Sequence, residues 1–590
     1  MQQPPLVGSR MLKVLGLRCR QGQQFYKGVA ELAKLAWTRP YATPLLFLVI
    51  KHYADRFGVV DYFNRIIEWD EKQWKLSPGM LALSIIYVSF MVEDGRVPLY
   101  KIGDHLRGLD LFLLFGQPLR AEDFNDDLYS NFLDRLGKLD SQDVLSGLST
   151  QVYKIFDLVG SQYLNSDTTT HVVYGKYAEC DKEGFTGLII TKGHSKAHRP
   201  DLNQIKTGLI VDGNGVVIVA KVLNGNESDS TWNLMTIEEL KKQLGDKIGT
   251  YILIADSKFV NMKIIREVNK SGEPLKFISL IPANFSNKLS KKARAQAYKA
   301  GKWEDIGKCC QNTKAKDRAT YEVQSFNYDI EGVTYRLLVI KTTSADKRIQ
   351  DQLDTEKADV IALAHDTFPK PFACQADAES AIKTFQKKIK SACFKAILKI
   401  VPINTEKKYP GRKPKIPRVP EFITQYTVEV VGSTPDDPRI EQFTQSEESF
   451  VLITNVPQSE LSDREVLRKY KSQCIVERSF SSLKRPMMVH PPFLKKPIRV
   501  EGLISLIYIA LLFQSVMVAM ARQRVKLIGE LPKIQYAKRT LENPTYDLLT
   551  FLLAPFEVWS MKSSTAVSCL VPEMEDHLNL LLYLVDAEAC

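Results

Sequence analysis

A run of twenty residues without a charged side chain, Gly502–Ala521, constrains the fold of this chain more than any other segment. A helix of that length spans either the hydrocarbon core of a bilayer or a large protein core. Ser505, Gln514 and Ser515 interrupt the run. Glu501 directly precedes it, and no second run of this kind occurs in the sequence. These features favour a helix buried on all sides in an α/β core, with a membrane-spanning helix as the alternative.

The composition is that of a folded, soluble protein with a basic surface. Of the 590 residues, 44% are hydrophobic and 25% are charged, and the formal net charge is +12. The length predicts three or four domains, and the positive charge favours a polyanionic partner or an anionic membrane surface. Nine scattered cysteines without a C-x-x-C pair argue for a reducing compartment and against a disulfide framework or a zinc site. The N-terminus lacks the apolar core of a signal peptide.

The chain changes from helical to strand-rich segments near residue 160. Before that point, Ser77-Pro78 provides a helix cap followed by a proline in the first turn. After it, β-branched residues predict a strand over Tyr163–Tyr174, and residues 206–223 predict a hairpin around Asp-Gly-Asn-Gly. A helix follows over residues 231–244. The apolar segment Thr250–Ala255 then predicts a buried strand that ends at Asp256, and sites gather at the carboxyl ends of strands in α/β sheets.

Residues 285–440 interrupt this pattern with a basic α+β segment. A second hairpin is predicted over residues 321–341, and helices over Ala345–His365 and Asp377–Leu398. Between residues 383 and 418 the chain has twelve lysines and arginines and one acid. Arg412, Lys413 and Lys415 lie there in a proline-rich loop, which either enters a narrow minor groove of DNA or is a solvated linker. The strand pattern returns at residues 449–454.

A helix with marked ends follows that strand, from Ser462 to Pro486. Ser462 and Glu465 have the spacing of a capping box, and proline ends the helix. At about 100° per residue, one stripe of this helix presents a phenol, an amide, a carboxylate and an ammonium. These belong to Tyr470, Gln473, Glu477 and Lys484. Alone, the stripe is equally typical of a polar surface helix.

Three acids from distant parts of the chain are the candidate catalytic and metal-binding residues. Asp167 comes from the first strand, Asp256 from the end of a later strand, and Glu477 from the helix after the last strand. Carboxylates without histidine or thiolate partners suit Mg²⁺, for which Mn²⁺ can substitute. Two such ions about 3.5–4 Å apart activate a nucleophile and stabilise the leaving oxygen in phosphoryl transfer. Taken singly, Asp167 as a turn cap and Asp256 as a helix cap are the alternatives.

These residues and their surroundings resemble the DDE transposases of bacterial insertion sequences. One group of these has a Y-(2)-R-(3)-E-(6)-K pattern, which this chain matches at Tyr470, Glu477 and Lys484, with Gln473 in place of arginine. Without the guanidinium, bidentate binding of a phosphate is not possible at this position. Further similar blocks are SDTTT around Asp167, GHSKAHRPDLNQIKTGLIVD, VLNGNESDS, ILIADSKF around Asp256, and FVLITN.

The resemblance implies a ribonuclease-H-like catalytic core, a mixed sheet flanked by helices, with a helical N-terminal domain and a large inserted α+β domain. The expected domains are a helical DNA-binding or dimerisation domain (1–155), a first part of the core (156–284), an inserted basic domain (285–440), a second part of the core (441–525), and a C-terminal region with dimerisation as a candidate role (526–590). In this arrangement the apolar run is a core helix.

The resemblance also implies cut-and-paste transposition with Mg²⁺, acting on terminal inverted repeats and target DNA. It implies at least a homodimer in a synaptic complex, no membrane, and a cytoplasmic, nucleoid-associated place in a prokaryotic cell. Lys484, Tyr470, Gln473, Arg412, Lys413, Lys415 and Arg199 are the candidate DNA contacts. A local ion pair between Arg199 and Asp201 explains their turn equally well. The alternatives are a transposase-derived DNA-binding protein weakened by Gln473, another ribonuclease-H-like nuclease, and a membrane protein.

Overall fold

The computed structural model describes residues 41–587, except 92–96, 197, 271–273, 287, 309–318, 391, 408–418, 485–492, 529–532, 535–538, 542, 563–566 and 571–575. The chain forms two compact units. The first comprises Met1–Phe277 and Ser472–Cys590, and the second comprises Ile278–Lys471. The second unit is therefore a single insertion in the sequence of the first.

The first unit begins with helices. A short strand, β1 (Tyr41–Pro44), precedes α1 (Leu45–Phe57), α2 (Val59–Ile66), α3 (Pro78–Ser89), α4 (Ile102–Leu106), α5 (Leu111–Phe115), α6 (Asp126–Leu136), α7 (Ser141–Ser149) and α8 (Val152–Ile155). Ser77 Oγ accepts a hydrogen bond from the backbone N–H of Met80 at 3.4 Å. Pro78 occupies the first helical position of α3, so the predicted helix start is confirmed.

A mixed sheet follows in the first unit. Its elements are β2 (Tyr163–Val173), β3 (Asn203–Asp212), β4 (Val217–Leu223), α9 (Asp229–Leu244), β5 (Ile252–Ala255), α10 (Met262–Asn269) and β6 (Lys276–Leu280), whose last three residues belong to the second unit. The strand order is β4-β3-β2-β5-β6. β2–β3 and β3–β4 are antiparallel, whereas β5 runs parallel to β2. This is the arrangement of a ribonuclease-H-like core, and the predicted fold class is confirmed.

The second unit combines an antiparallel sheet with a separate two-stranded ribbon. Its elements are α11 (Leu289–Ala300), β7 (Glu304–Lys308), β8 (Thr320–Ile330), β9 (Val333–Thr342), α12 (Asp346–Thr367), α13 (Gln375–Lys388), β10 (Phe394–Glu406), β11 (Phe422–Pro435), α14 (Asp437–Glu448), β12 (Ser449–Thr454) and α15 (Asp463–Tyr470). The sheet order is β6-β12-β9-β8-β7, and β10 pairs with β11. Helices α12 and α13 pack on this ribbon around Val360, Phe368 and Phe385.

The helix predicted over Asp377–Leu398 is wrong at its end. Helix α13 stops at Lys388, and residues 394–398 already belong to β10. There Phe394 to Leu398 pair with residues of β11 more than thirty positions later in the chain. This non-local pairing overrides the helical pattern of the basic segment.

The chain returns to the first unit through α16 (Cys474–Leu483), α17 (Pro497–Ile528), β13 (Lys533–Ile534), β14 (Arg539–Thr540), α18 (Tyr546–Leu553), β15 (Glu557–Lys562), β16 (Val567–Leu570) and α19 (Asp576–Leu584). The capping box is confirmed, because Ser462 Oγ accepts from the Glu465 N–H at 3.4 Å and the Glu465 carboxylate accepts from the Ser462 N–H at 3.0 Å. The single helix from Ser462 to Pro486 is wrong. A 3₁₀ turn, Lys471–Gln473, separates α15 from α16.

The apolar run lies in α17, which packs against α3, α6, α7 and β4. Tyr508 is fully buried there, and its hydroxyl lies 3.0 Å from Thr207 Oγ1 of β3. Among the described residues, α17 is the one helix long and apolar enough to cross a membrane, yet 83% of its most apolar window is buried in the protein. The prediction of a core helix is confirmed.

Candidate active site

Asp167 and Asp256 lie on neighbouring parallel strands in equivalent positions. In the register of β2 and β5, Asn165 is paired with Ile254. Each aspartate follows its paired residue by two positions, so both side chains are placed on the same face, Asp167 in the middle of β2 and Asp256 just past the end of β5. Burial, and after it the negative charge of Asp167, raises the pKa of Asp256. The structure thus brings together two of the three predicted acids.

Of the two capping alternatives, only that of Asp256 is confirmed. Asp256 Oδ1 accepts a hydrogen bond from the Lys258 N–H at 3.1 Å and caps the 3₁₀ turn Ser257–Phe259. The turn cap at Asp167 is wrong, because Asp167 lies within strand β2, where its Oδ1 accepts from the Thr168 N–H at 2.7 Å. These bonds fix the direction of the carboxylates and leave oxygen lone pairs for a ligand.

A buried aspartate that the sequence analysis did not single out lies beside this pair. Asp229 Oδ1 accepts a hydrogen bond from Thr168 Oγ1 at 2.9 Å and lies 3.4 Å from Lys206 Nζ. Lys258 Nζ bonds Asp229 Oδ2. The side chains of Asp229 and Lys206 are only 5% and 7% exposed. Burial alone would raise the pKa of Asp229, but the bonds from Lys258 and Thr168 outweigh it and lower the pKa to about 2.

The sequence contains a signal for this cluster. Lys206 is a charged residue within the buried strand segment QIKTGLIV, and a buried lysine needs an anionic partner. The buried lysine predicts a carboxylate partner but does not identify it, and Asp229 is 23 residues further along the chain.

Lys196 reaches the first aspartate from the loop between β2 and β3. Its Nζ lies 2.7 Å from the Thr168 carbonyl oxygen, 3.2 Å from Thr168 Oγ1 and 3.3 Å from Asp167 Oδ1. The Lys196 charge also opposes the rise in the pKa of Asp256. A single ammonium therefore bonds the middle of β2, and its charge acts on both acids.

The third predicted acid, Glu477, lies on α16, which packs against β2 and β3. Val476, Phe480 and Leu483 form its buried side, and Glu477 is exposed in its first turn. Ser472 Oγ, just before the helix, lies 3.5 Å from Asn165 Oδ1 of β2. Among the described residues, no group of three His, Cys, Asp or Glu side chains is close enough to hold a metal ion. Glu477 therefore does not close a three-acid set with the two aspartates in this structure.

The other residues of the predicted stripe separate at the 3₁₀ turn. Gln473 lies just before α16 and Lys484 just after it, both half-buried and both in the first unit. Burial, followed by the charge of Lys196, lowers the pKa of Lys484. Tyr470 ends α15 in the second unit.

The turn after Lys196 contains a local ion pair. Arg199 Nε and Nη2 donate to the two carboxylate oxygens of Asp201 at 2.9 and 2.7 Å. Both side chains are exposed, and the Arg199 guanidinium lowers the pKa of Asp201. The ion-pair interpretation of this turn thus has a structural basis. Arg412, Lys413 and Lys415 lie outside the described residues.

The second unit contains a basic cavity of about 720 Å³. Lys288, Lys291, Arg294 and Arg439 line it, together with one acid, Glu356. Arg294 Nε is buried and has no hydrogen-bond partner, and burial lowers the pKa of that guanidinium. Positive charge therefore exceeds negative charge around this cavity.

The strand order defines a ribonuclease-H-like fold. Residues 186–513, more than half of the chain, match the transposase DDE domain family, and the chain belongs to that family. Asp256 and Glu477 lie inside the matched segment, whereas Asp167 precedes it. Residues 46–150 match a domain of unknown function, DUF4277.

Two further comparisons add little. No curated protein matches the chain. A cryo-EM structure of a piggyBac transposase synaptic complex with hairpin DNA is 9% identical, with 85% of this chain and 86% of that chain covered and a TM-score of 0.30. So low a score carries no argument about this molecule.

Proposed function

We propose that this transposase cuts and joins DNA at the ends of an insertion sequence by metal-dependent phosphoryl transfer, in a cut-and-paste reaction. The observation that carries the proposal is the register of β2 and β5, which sets Asp167 and Asp256 side by side. Burial, and after it the charge of Asp167, raises the pKa of Asp256, and a bound divalent cation would offset both effects.

The donor set fits Mg²⁺, and Mn²⁺ as a substitute, because it consists of carboxylate oxygens without thiolates or imidazoles. Asp167 and Asp256 would hold the metal, and Glu477 would complete the set when α16 and DNA engage. Two bound ions would activate the attacking water or 3′-hydroxyl and stabilise the leaving oxygen. Lys484 would bind the phosphate backbone and Gln473 would position it, and Tyr470 is a further proposed DNA contact.

The proposed partner is double-stranded DNA, both the terminal inverted repeats and the target. The net charge of +12 and the cation-lined cavity of the second unit support this partner. Arg412, Lys413, Lys415 and Arg199 are further proposed contacts. Joining two DNA ends to one target requires at least two active sites, so a homodimer or a larger assembly is proposed.

The test is cleavage of a duplex that carries the inverted repeats flanking the gene. Asp167→Asn, Asp256→Asn and Glu477→Gln should each reduce Mg²⁺-dependent strand cleavage by on the order of a thousandfold, since each removes a charge that holds the ions. DNA binding, measured by fluorescence anisotropy, should stay within about twofold of the parent protein because every cation that binds phosphate is still present. Asp246→Asn, an exposed aspartate in the same unit, is the control. Normal cleavage by Asp256→Asn would refute the assignment.

A second candidate is a transposase-derived DNA-binding protein with weakened catalysis. Gln473 in place of the arginine of the Y-R-E-K group and the separation of Glu477 from the aspartate pair favour it. Metal-dependent nicking distinguishes the two candidates. Restoration of the guanidinium by Gln473→Arg should increase nicking if the absence of that group weakens the enzyme.

A further inference from the structure

The ammonium of Lys196 lies on the carboxylate that would bind the metal. Lys196 Nζ is 3.3 Å from Asp167 Oδ1, and its shorter bonds go to the carbonyl and hydroxyl oxygens of the next residue, Thr168, at 2.7 and 3.2 Å. The Lys196 and Asp167 side chains are 32% and 28% exposed. The ammonium is therefore held by three oxygens at the middle of β2.

Two other lysines beside the site, Lys258 and Lys206, are engaged elsewhere. Lys258 Nζ bonds Asp229, and Lys206 Nζ bonds the Glu227 carbonyl at 2.6 Å and Asp229. Asp229 in turn accepts the hydroxyl proton of Thr168. Lys258 and Lys206 thus neutralise the buried aspartate, and Lys196 is left for Asp167.

A divalent cation bound to Asp167 and Asp256 would be bound more weakly if the Lys196 ammonium stayed on Asp167. An ammonium about 3 Å from a carboxylate oxygen would lie within a few ångströms of a metal on the same oxygen, where like charges repel strongly. The loop position and partial exposure of Lys196 allow its flexible side chain to move, whereas buried Lys206 is fixed.

We propose that Lys196 is a built-in counter-ion that occupies Asp167 in the metal-free protein, is displaced by the divalent cation, and then binds a phosphate oxygen of the DNA. The proposal rests on the proposed function, because it takes Asp167 as a metal ligand. It assigns Lys196 a positioning role that changes with the state of the site. Before metal binding Lys196 offsets part of the repulsion between the aspartates, and afterwards it lies beside the substrate.

Two measurements with opposite signs test the exchange. Lys196→Met removes the charge and keeps a long side chain, so Mn²⁺ should bind the full chain about five- to tenfold more tightly, measured by isothermal titration calorimetry without DNA. Mg²⁺-dependent cleavage at saturating metal should nevertheless fall about tenfold or more, because methionine cannot bind the phosphate. A merely structural role of Lys196 would weaken both metal binding and cleavage.

Lys192→Met and Lys196→Arg are the matched variants. Lys192 is exposed in the same loop, and its replacement should leave Mn²⁺ affinity within about twofold. Lys196→Arg keeps the charge and should keep the Mn²⁺ affinity of the parent protein. If Lys196→Met leaves Mn²⁺ affinity unchanged or weakens it, the exchange is refuted.

Asp167→Asn separates failure of this inference from failure of the proposed function. If Asp167→Asn abolishes Mn²⁺ binding and Lys196→Met does not strengthen it, the metal site stands and the counter-ion role falls. If Asp167→Asn leaves Mn²⁺ binding intact, the metal assignment itself falls and the exchange falls with it.

Discussion

The aspartate pair of the first unit and the basic cavity of the second unit differ in how their charges are balanced. Asp167 and Asp256 lie together where β5 ends beside the middle of β2, and burial, and after it the charge of Asp167, raises the pKa of Asp256. Lys196 bonds Asp167, so a cation accompanies the carboxylates there. Around the cavity, cations outnumber acids among the lining residues, and Arg294 Nε is buried without a hydrogen-bond partner in the described part of the chain.

Each arrangement fits a different ligand. Paired carboxylates suit a divalent cation, whereas clustered cations in a cavity suit a phosphate. The buried pair of Asp229 and Lys206, by contrast, is satisfied within the protein. The following variants test the difference between this satisfied pair and the two proposed binding regions.

The largest effect is expected at the satisfied pair. Asp229→Ala leaves Lys206 buried without its carboxylate, so the free energy of unfolding should fall by about 3–5 kcal/mol in urea denaturation. The pKa of Asp229 is about 2 in the folded chain, below the unfolded value of about 3.9. Its stabilising contribution is therefore present above about pH 4 and disappears as the pH falls towards 2.

The controls for that variant are an exposed acid and a double variant. Asp246→Ala should change stability by less than about 0.5 kcal/mol. Asp229→Ala with Lys206→Met removes the stranded ammonium and should recover part of the stability. A decrease below about 1 kcal/mol for Asp229→Ala would contradict the distinction between satisfied and unsatisfied charges.

A smaller effect is expected in the cavity. Lys291→Gln combined with Arg294→Gln should weaken binding of the end duplex about tenfold at 0.1 M salt. The slope of log affinity against log salt should fall by about one for each phosphate that the variant no longer neutralises. Lys292→Gln is the matched control, because this exposed lysine is adjacent in α11 but does not line the cavity. If Lys292→Gln weakened binding of the duplex as much as the double variant does, a specific role of the cavity would be refuted.

A further effect, on stability and its pH dependence, is expected at another acid of the first unit. Burial, and after it the charge of Asp140, raises the pKa of Glu501 to about 7, from an ordinary 4.5. The folded chain therefore binds a proton that the unfolded chain releases, and stability falls as the pH rises from about 4.5 to 7. Glu501→Gln should stabilise the protein by about 1–3 kcal/mol at about pH 8 and leave it unchanged at about pH 4. The control is Glu183→Gln, because Glu183 is exposed. A pH-independent effect of Glu501→Gln would refute the raised pKa of Glu501 as its cause.

Local chemistry was predictable from the sequence. Ser77 with Pro78 and Ser462 with Glu465 begin helices because their bonds lie within one turn. The break at Lys471–Gln473 was not predictable, because it coincides with a serine whose hydroxyl approaches Asn165, which lies 307 positions earlier.

The candidate site likewise contains residues that the sequence predicts and residues that it does not. Asp256 was predictable because an apolar strand ends directly before it. The group formed by Thr168, Lys196 and Asp229 was not predictable, because its three members come from a strand, a loop and a helix start. Their proximity depends on the register of the sheet, which no local pattern contains.

The position of α17 in the chain has a consequence for biosynthesis. This helix fills the core of the first unit, yet the ribosome makes it only after the whole second unit has been synthesised. Until then the nascent N-terminal helices and strands lack the surface that covers their apolar side chains, whereas the insertion already has all its own residues. It follows that the inserted unit completes its fold first, and that the nascent core is a natural client for chaperones.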